Sequence, residues 1–487
     1  MKKGPALTVL LACTTGACGG GASSATVPND ASMEEASMET SNAEAGAGSD
    51  GVAGADVGSP LDAQADVPGE PEAGTDAGSV VDAGGSADAG PGAPLPSGYF
   101  KVSGHQIVAS TGASVRLACI GYDEPTGDYA SDMAKIRLAG FNCVRQSWYD
   151  HKACPGGQCD FAAQDAVVSA AAEAGVKVVW SHHGNEGNNG TTGNADCASQ
   201  QENGLWYDIN STDVIAGVTW NALTGNFDGC GTPGTVTYAT FKADSVAMAT
   251  HYSGNSTVIA FDLWNEPVVG DAGHCGNGCQ STTLNWGGNN GADLRLMCTD
   301  TGTAVESADP GVLIVCEGAI NFTGTFLDGT PFPSGANGIQ ELSGAGANPV
   351  AVGAPEVVYS IHDYPGWLSG QMPSSGAGAI AFRNAAWGYL EIQRIAPVWV
   401  GEGGASLDGT DAQSAGDTAW ATALTQYVNG QANGGPTFSG TEQPIGFDWW
   451  YFGYGPGQQI DGVYTNAALT QYNAGQKAFW ETLLYTP

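Results

Sequence analysis

The sequence predicts an α/β chain folded as a (β/α)8 TIM barrel behind a disordered, acidic N-terminal tether. From Gly98 onward, short apolar runs rich in β-branched residues alternate with stretches of helical periodicity. There are eight such runs after an opening hairpin, the number that closes a parallel barrel. Several end on Arg, His, Asn, Glu or Trp, and the carboxyl ends of barrel strands are where such a fold presents its chemistry.

Met1-Lys2-Lys3 is a basic start and Ala6 to Ala12 a short apolar stretch, so residues 1–18 read as a bacterial export signal. Leu10-Leu11-Ala12-Cys13 has the look of a lipoprotein signal with Cys13 as the lipidated residue; Cys18 is the second candidate, and a plain secretory signal is the alternative. Residues 19–97 are mostly Ala, Gly, Ser, Pro and acidic residues, with no aromatic before Tyr99 and no cation between Lys3 and Lys101. Such a segment cannot bury enough apolar surface to offset its ordering entropy and reads as an extended linker. The chain is expected to be exported, either extracellular or lipid-anchored at the cell surface, with 98–487 as the catalytic domain.

Tyr99–Val102 and Gln106–Val108 form a hairpin-like start expected to cover the barrel floor. Strands are expected at Val115–Tyr122, Cys143–Trp148, Lys177–His182, Val258–Trp264, Val312–Glu317, Val357–Tyr364, Val398–Glu402 and Phe447–Phe452. Helices are expected at Asp128–Ala139, Ala163–Ala174, Tyr238–His251, Ala292–Ser307, Ala379–Arg394 and Ala415–Val428. The polar, Gly- and Asn-rich stretch Gly184–Gly234 reads as a long loop over the active-site face.

The formal net charge is −36, and the lysines beyond the linker are only Lys101, Lys135, Lys152, Lys177, Lys242 and Lys477. That excludes a nucleic-acid partner, which needs clustered cations, and suits a neutral polymer. Of twelve cysteines, Cys154/Cys159 and Cys275/Cys279 bracket short loops and are expected to be disulfides, because an exported chain meets an oxidising compartment. Neither pair is followed by a matching Cys/His pair at zinc spacing, so no metal and no cofactor is expected. Cys119, Cys143 and Cys316 lie in apolar runs and read as small buried hydrophobes. A monomer is expected.

The most informative stretch is Thr257-Val-Ile-Ala-Phe-Asp-Leu-Trp-Asn-Glu-Pro267, an apolar strand that stops at Asn265-Glu266-Pro267. Pro397-Val-Trp-Val400 delivers Glu402 in the same way. Two glutamates at the mouths of separate strands are what acid/base plus nucleophilic glycoside hydrolysis requires. Other strand ends carry Arg145, His182-His183, His362-Asp363-Tyr364 and Trp449-Trp450. With Ala139-Gly-Phe-Asn-Cys-Val-Arg145, Tyr359-Ser-Ile-His-Asp-Tyr-Pro365, and Trp387-Gly-Tyr-Leu390 through Ile395-Ala-Pro-Val-Trp-Val-Gly-Glu402, the chain resembles glycoside hydrolase family 5 from about Val102 to its C-terminus. Within that family it is similar to the bacterial endo-β-1,4-glucanase branch.

The resemblance implies a retaining, endo-acting hydrolase of cellulose-type β-1,4-glucan. Glu266 is then the general acid/base and Glu402 the nucleophile, held ionised by Arg145 and a hydrogen bond from Tyr364. Asn265 binds the sugar 2-hydroxyl, His182 and His362 line the cleft, and Trp450 stacks on a sugar face. Adjacent strand residues face opposite ways, so one of His182 and His183 enters the site, and His182 is the expected one. Trp206, Trp286 and Trp367 are either further platforms or packed loop anchors. The chain departs from the pattern at Trp180, where relatives carry Asp, and at Gly403-Gly404 after the second glutamate. The alternatives are the same chemistry on another β-glycan such as mannan, or a non-catalytic glycan-binding surface lipoprotein.

Overall fold

The computed structural model describes residues 92–123, 126–183, 205–207, 212–215, 218–221, 236–269, 284–333, 338–353, 357–366, 375–407, 414–455 and 460–487. Cys13, Cys18, Cys275, Cys279, Trp367, most of Gly184–Gly234 and nearly all of the expected linker lie outside these residues.

Eight parallel strands close into a barrel in the order β3 (Ala118–Tyr122), β4 (Cys143–Trp148), β5 (Lys177–His182), β8 (Val258–Asp262), β10 (Leu313–Glu317), β13 (Val357–His362), β14 (Val398–Gly403) and β15 (Gly446–Trp449), which returns to β3. All eight are expected strands, displaced by at most a few residues at their ends. Helices Tyr129–Leu138, Ala162–Ala174, Tyr238–Tyr252, Leu294–Ala308 and Ser414–Val428 lie between them. Asp128, Thr237 and Asp293 start three of these helices by accepting a backbone N–H from the first turn. The expected helix at Ala379–Arg394 is instead Gly376–Arg383 running through a π-helical turn, Asn384–Gly388, into Tyr389–Ile392.

Side-chain alternation divides the apolar residues into two layers. Val144, Val178, Ile314 and Cys316 face the helices, while Cys143, Val179, Leu313, Val315 and Trp399 fill the barrel interior. The antiparallel pair β1 (Phe100–Ser103) and β2 (Gln106–Ala109) adds Phe100, Val102 and Ile107 to that interior cluster, which makes it the floor plug. His105, at the hairpin turn, is tied to Glu391 at 2.7 Å, and this ion pair fastens the plug to the barrel wall.

The folded body begins earlier than expected. Leu95 is buried in the interior cluster, and the Ala93 N–H donates to the Tyr485 carbonyl, so residues 92–97 pack on the barrel and do not belong to a linker. A truncation meant to keep the whole domain should therefore start before Gly92.

Two further small sheets stand outside the barrel. β6 (Thr212–Ile215) pairs antiparallel with β7 (Val218–Asn221). β9 (Val268–Val269), β11 (Ala319–Asn321) and β12 (Ile339–Glu341) form a three-stranded sheet directly beyond Pro267 and Gly318. No described helix is long and apolar enough to cross a membrane.

Cys154–Cys159 is disulfide-bonded as expected. Cys119, Cys143 and Cys316 are buried but are not free hydrophobes: Cys119 pairs with Cys143 across neighbouring strands, and Cys316 with Cys298 of the helix that precedes its strand. Strand register places Cys119 opposite Cys143, a pairing visible only once β3 and β4 are aligned. The Cys298–Cys316 bridge spans 18 residues and ties Leu294–Ala308 to the strand that ends in Glu317. On loop entropy alone, replacing both cysteines by alanine should cost about 3 kcal/mol, read from urea unfolding of oxidised protein. A loss below about 1 kcal/mol would mean that packing, not the bridge, holds this wall.

Candidate active site

Arg145 lies at the centre of the carboxyl-end mouth. It stands on β4, faces inward and is 1% exposed. Its Nε and Nη2 donate to Asp262 Oδ2 at 3.0 and 2.7 Å, and Nη2 also lies 2.8 Å from Glu317 Oε1 and from Asn265 Oδ1. Nη1 donates to Glu402 Oε1. A guanidinium is the cation that can meet several carboxylates at once while excluded from water.

Glu402 ends β14 and is buried. Its Oε2 accepts the Tyr364 hydroxyl at 2.8 Å and lies 3.5 Å from His362 Nδ1. Burial raises its pKa, while His362 and Arg145 pull it back. Burial and the Glu402 charge keep the Tyr364 phenol protonated well above its ordinary range, so it stays a donor.

Glu266 differs in kind. Its side chain is 37% exposed and its backbone adopts φ +50°, a left-handed conformation uncommon outside glycine. Its Oε1 lies 2.8 Å from His362 Nδ1. Donor atoms of Glu266, His362 and Glu402 all fall within 4.8 Å of one another. For His362, burial works against protonation, but Glu317 and Glu402 outweigh it and hold the imidazolium well above its usual pKa.

Of the expected residues, Arg145, Asn265, Glu266, His362, Tyr364 and Glu402 converge. Trp450 stands at the same rim, half-buried, its ring packed on Gly121; a Cβ there would meet ring atom Cε3 at 2.2 Å. His182 does not converge. Its ring is sandwiched outside the barrel between Trp148 at 4.0 Å and Phe241 at 4.9 Å. His183 takes the inward place, 3.1 Å from Ser147 Oγ, and burial together with the Arg145 charge keeps it neutral. The deciding signal was Ser181, whose hydroxyl accepts from Arg145 at 2.7 Å and which shares a strand face with residue 183. Trp206 and Trp286 are buried anchors, the latter donating to the Asn348 carbonyl, and Trp180 packs outward on Tyr252.

Three acidic residues of the mouth were missed. Asp262 and Glu317 contact Arg145, and Asp448 on β15 is buried with no hydrogen-bond partner among the described residues. Burial and Glu317 raise Asp262 well above the usual carboxylate range, and burial does the same to Asp448. For Glu317, burial is overcome by His362 and Arg145, which hold it below that range. An acid interrupting an apolar strand was the available sign for each of them.

A model of the cellulase family, glycosyl hydrolase family 5, matches residues 103–433. An endoglucanase of Paenibacillus polymyxa is 35% identical over 194 residues, 38% of this chain and 43% of that protein. Endoglucanase G of Acetivibrio thermocellus is 26% identical over 285 residues, 54% of this chain and 44% of that protein. The chain thus spans less than half the length of these two relatives. Among solved structures, the catalytic domain of the major endoglucanase of Xanthomonas campestris pv. campestris aligns with TM-score 0.55 at 19% identity, covering 79% of this chain and 99% of that one. The Pyrococcus horikoshii endocellulase in complex with cellotetraose aligns with TM-score 0.54 at 17% identity, covering 79% and 98%. These two likenesses are of fold.

Proposed function

This chain belongs to glycosyl hydrolase family 5, the cellulase family, and from that premise we propose that it is a retaining endo-β-1,4-glucanase acting by double displacement. The observation that carries the reading is the closeness of Glu266 and Glu402, with an oxygen of each inside a 4.8 Å cluster. Retaining enzymes hold their carboxyl groups about 5–5.5 Å apart, whereas inverting ones need about 6.5–9.5 Å for an intervening water.

In this reading Glu402, gripped by Arg145 and Tyr364, attacks the anomeric carbon and forms the glycosyl-enzyme. Glu266, at the exposed rim, gives its proton to the departing oxygen and then takes one from the incoming water. Asn265 bonds the 2-hydroxyl and Trp450 stacks on a sugar ring. The relatives named as endoglucanases and the cellotetraose complex support glucan as substrate. We further propose that residues 1–18 export the chain and that the acidic segment before residue 92 spaces the barrel from a lipid anchor at Cys13 or Cys18. A reducing-sugar assay on carboxymethylcellulose, mannan and xylan tests the substrate, and NMR of the first anomer tests retention. Preference for mannan, or an inverted first product, would overturn the corresponding half of the proposal.

Because Glu402 must be ionised and its pKa is raised, activity should fall as pH drops through a value above the ordinary glutamate range. The acid limb of kcat/KM against pH reads this directly, and a limb below about pH 4 would contradict it. Gly121→Ala should push the Trp450 ring aside and raise KM for soluble glucan up to about tenfold, ~1.4 kcal/mol, with little change in kcat. An unchanged KM would remove Trp450 from the binding surface.

A further inference from the structure

We infer that Glu317 is a positioning residue of the reaction, the group that sets Glu266 in place. This rests on the acid/base reading of Glu266. Glu317 ends β10, the barrel strand next to the one that leads to Glu266, and its side chain is fully buried. Its Oε2 accepts the backbone N–H of Glu266 at 2.9 Å and the Gln340 amide at 2.8 Å. Its Oε1 lies 3.2 Å from His362 Nε2, and the other nitrogen of that ring touches Glu266 Oε1 at 2.8 Å. One carboxylate therefore holds Glu266 twice, by a hydrogen bond at the backbone and, through an ion pair with His362, at the side chain.

Glu266 needs that grip. It sits in a left-handed conformation immediately before Pro267, and such a backbone persists only where its surroundings fix it. The nucleophile is anchored differently. Arg145 reaches Glu317 but also holds Asp262 through both Nε and Nη2, so its hold on Glu402 keeps a second carboxylate anchor if Glu317 is neutralised. Gln340, on β12 of the small outer sheet, completes the arrangement: its Nε2 also donates to the Gly318 carbonyl and its Oε1 accepts the His362 backbone N–H. That sheet thus fixes the orientation of the Glu317 carboxylate. The glutamine of a Glu317→Gln variant has one acceptor oxygen, so its NH2 must face donors, either Arg145 and His362 or Glu266 and Gln340.

The test compares kcat/KM on soluble glucan, whose leaving group needs protonation, with kcat/KM on dinitrophenyl β-cellobioside, whose leaving group does not. Loss of acid positioning should lower the first roughly 30- to 100-fold and leave the second within about threefold. Damage to the fold alone would lower both together. Equal losses on the two substrates, or none on either, would overturn the inference. Should Glu317→Gln not fold, Gln340→Ala replaces it, with the same selectivity expected at smaller size and its absence counting against the proposal. Glu266→Gln run alongside separates this inference from its premise: if that variant shows no leaving-group selectivity, the acid/base assignment itself falls.

Discussion

Glu402→Gln should lower kcat on soluble glucan by at least about three orders of magnitude, the equivalent of ~4 kcal/mol or more of transition-state stabilisation. An amide cannot form the glycosyl-enzyme, so no substrate should escape the loss, activated aryl glycosides included. This separates it from Glu266→Gln, where activated substrates should be spared. The fold should survive. Glutamine keeps the shape: its Oε can accept from Arg145 while its NH2 donates to the Tyr364 hydroxyl oxygen, and Arg145 retains Asp262 and Glu317 as further partners. Removing a buried carboxylate also relieves its desolvation cost, so the thermal midpoint should change little or rise. The decisive pair of measurements is single-turnover rate and thermal midpoint on the same preparation. Near-native turnover in a folded variant would remove Glu402 from the nucleophile role.

How much of this was legible in the sequence depends on which physical signal each residue carries. The barrel was legible because buried parallel strands are near-continuous apolar runs, and most of the eight occur where Val, Ile or aromatic residues cluster before a polar stop. The same grammar placed Glu402 and Glu266 at the rim. The His182/His183 choice failed because strand parity needs a reference residue of known direction, and Ser181 becomes one only when Arg145 is seen to bond it. Glu317 obeys the same strand-end pattern as Glu402 but lacked a partner in the linear reading, since Arg145, Gln340 and His362 converge on it from three other parts of the chain. The Cys119–Cys143 bridge was hidden for a related reason, because register between strands is not a local property. Residues 92–97 were misread on composition, as Leu95 is one apolar side chain in a run of Gly, Ala and Pro, yet it fills a place in the floor cluster.

Arg145→Met should give the largest loss of stability, about 3–5 kcal/mol near neutral pH, together with loss of activity. The side chain is fully enclosed, and Asp262, Glu317 and Glu402 all contact it while Asp448 feels its charge. Methionine fills much of the volume but leaves these carboxyl groups buried without their common cation. They can remain buried only by taking up protons, so their folded-state pKa values must rise, that of Glu317 from below the ordinary carboxylate range and those of Asp262 and Glu402 further above it. The sign of the pH dependence follows. Where the folded form binds protons that the unfolded form has already released, stability falls as pH rises. The deficit relative to the unaltered protein should therefore be smallest near pH 4–5, where unfolded carboxyls begin to hold protons too, and widest near pH 7–8. Lysine at the same place should rescue only part of it, since a single ammonium cannot reach Asp262 through two N–H groups and Glu402 through a third. Urea unfolding of the three proteins across that pH range makes the comparison. A deficit that stayed constant with pH, or grew in acid, would show that Arg145 serves mainly as packing and that the protonation of the carboxyl cluster does not depend on it.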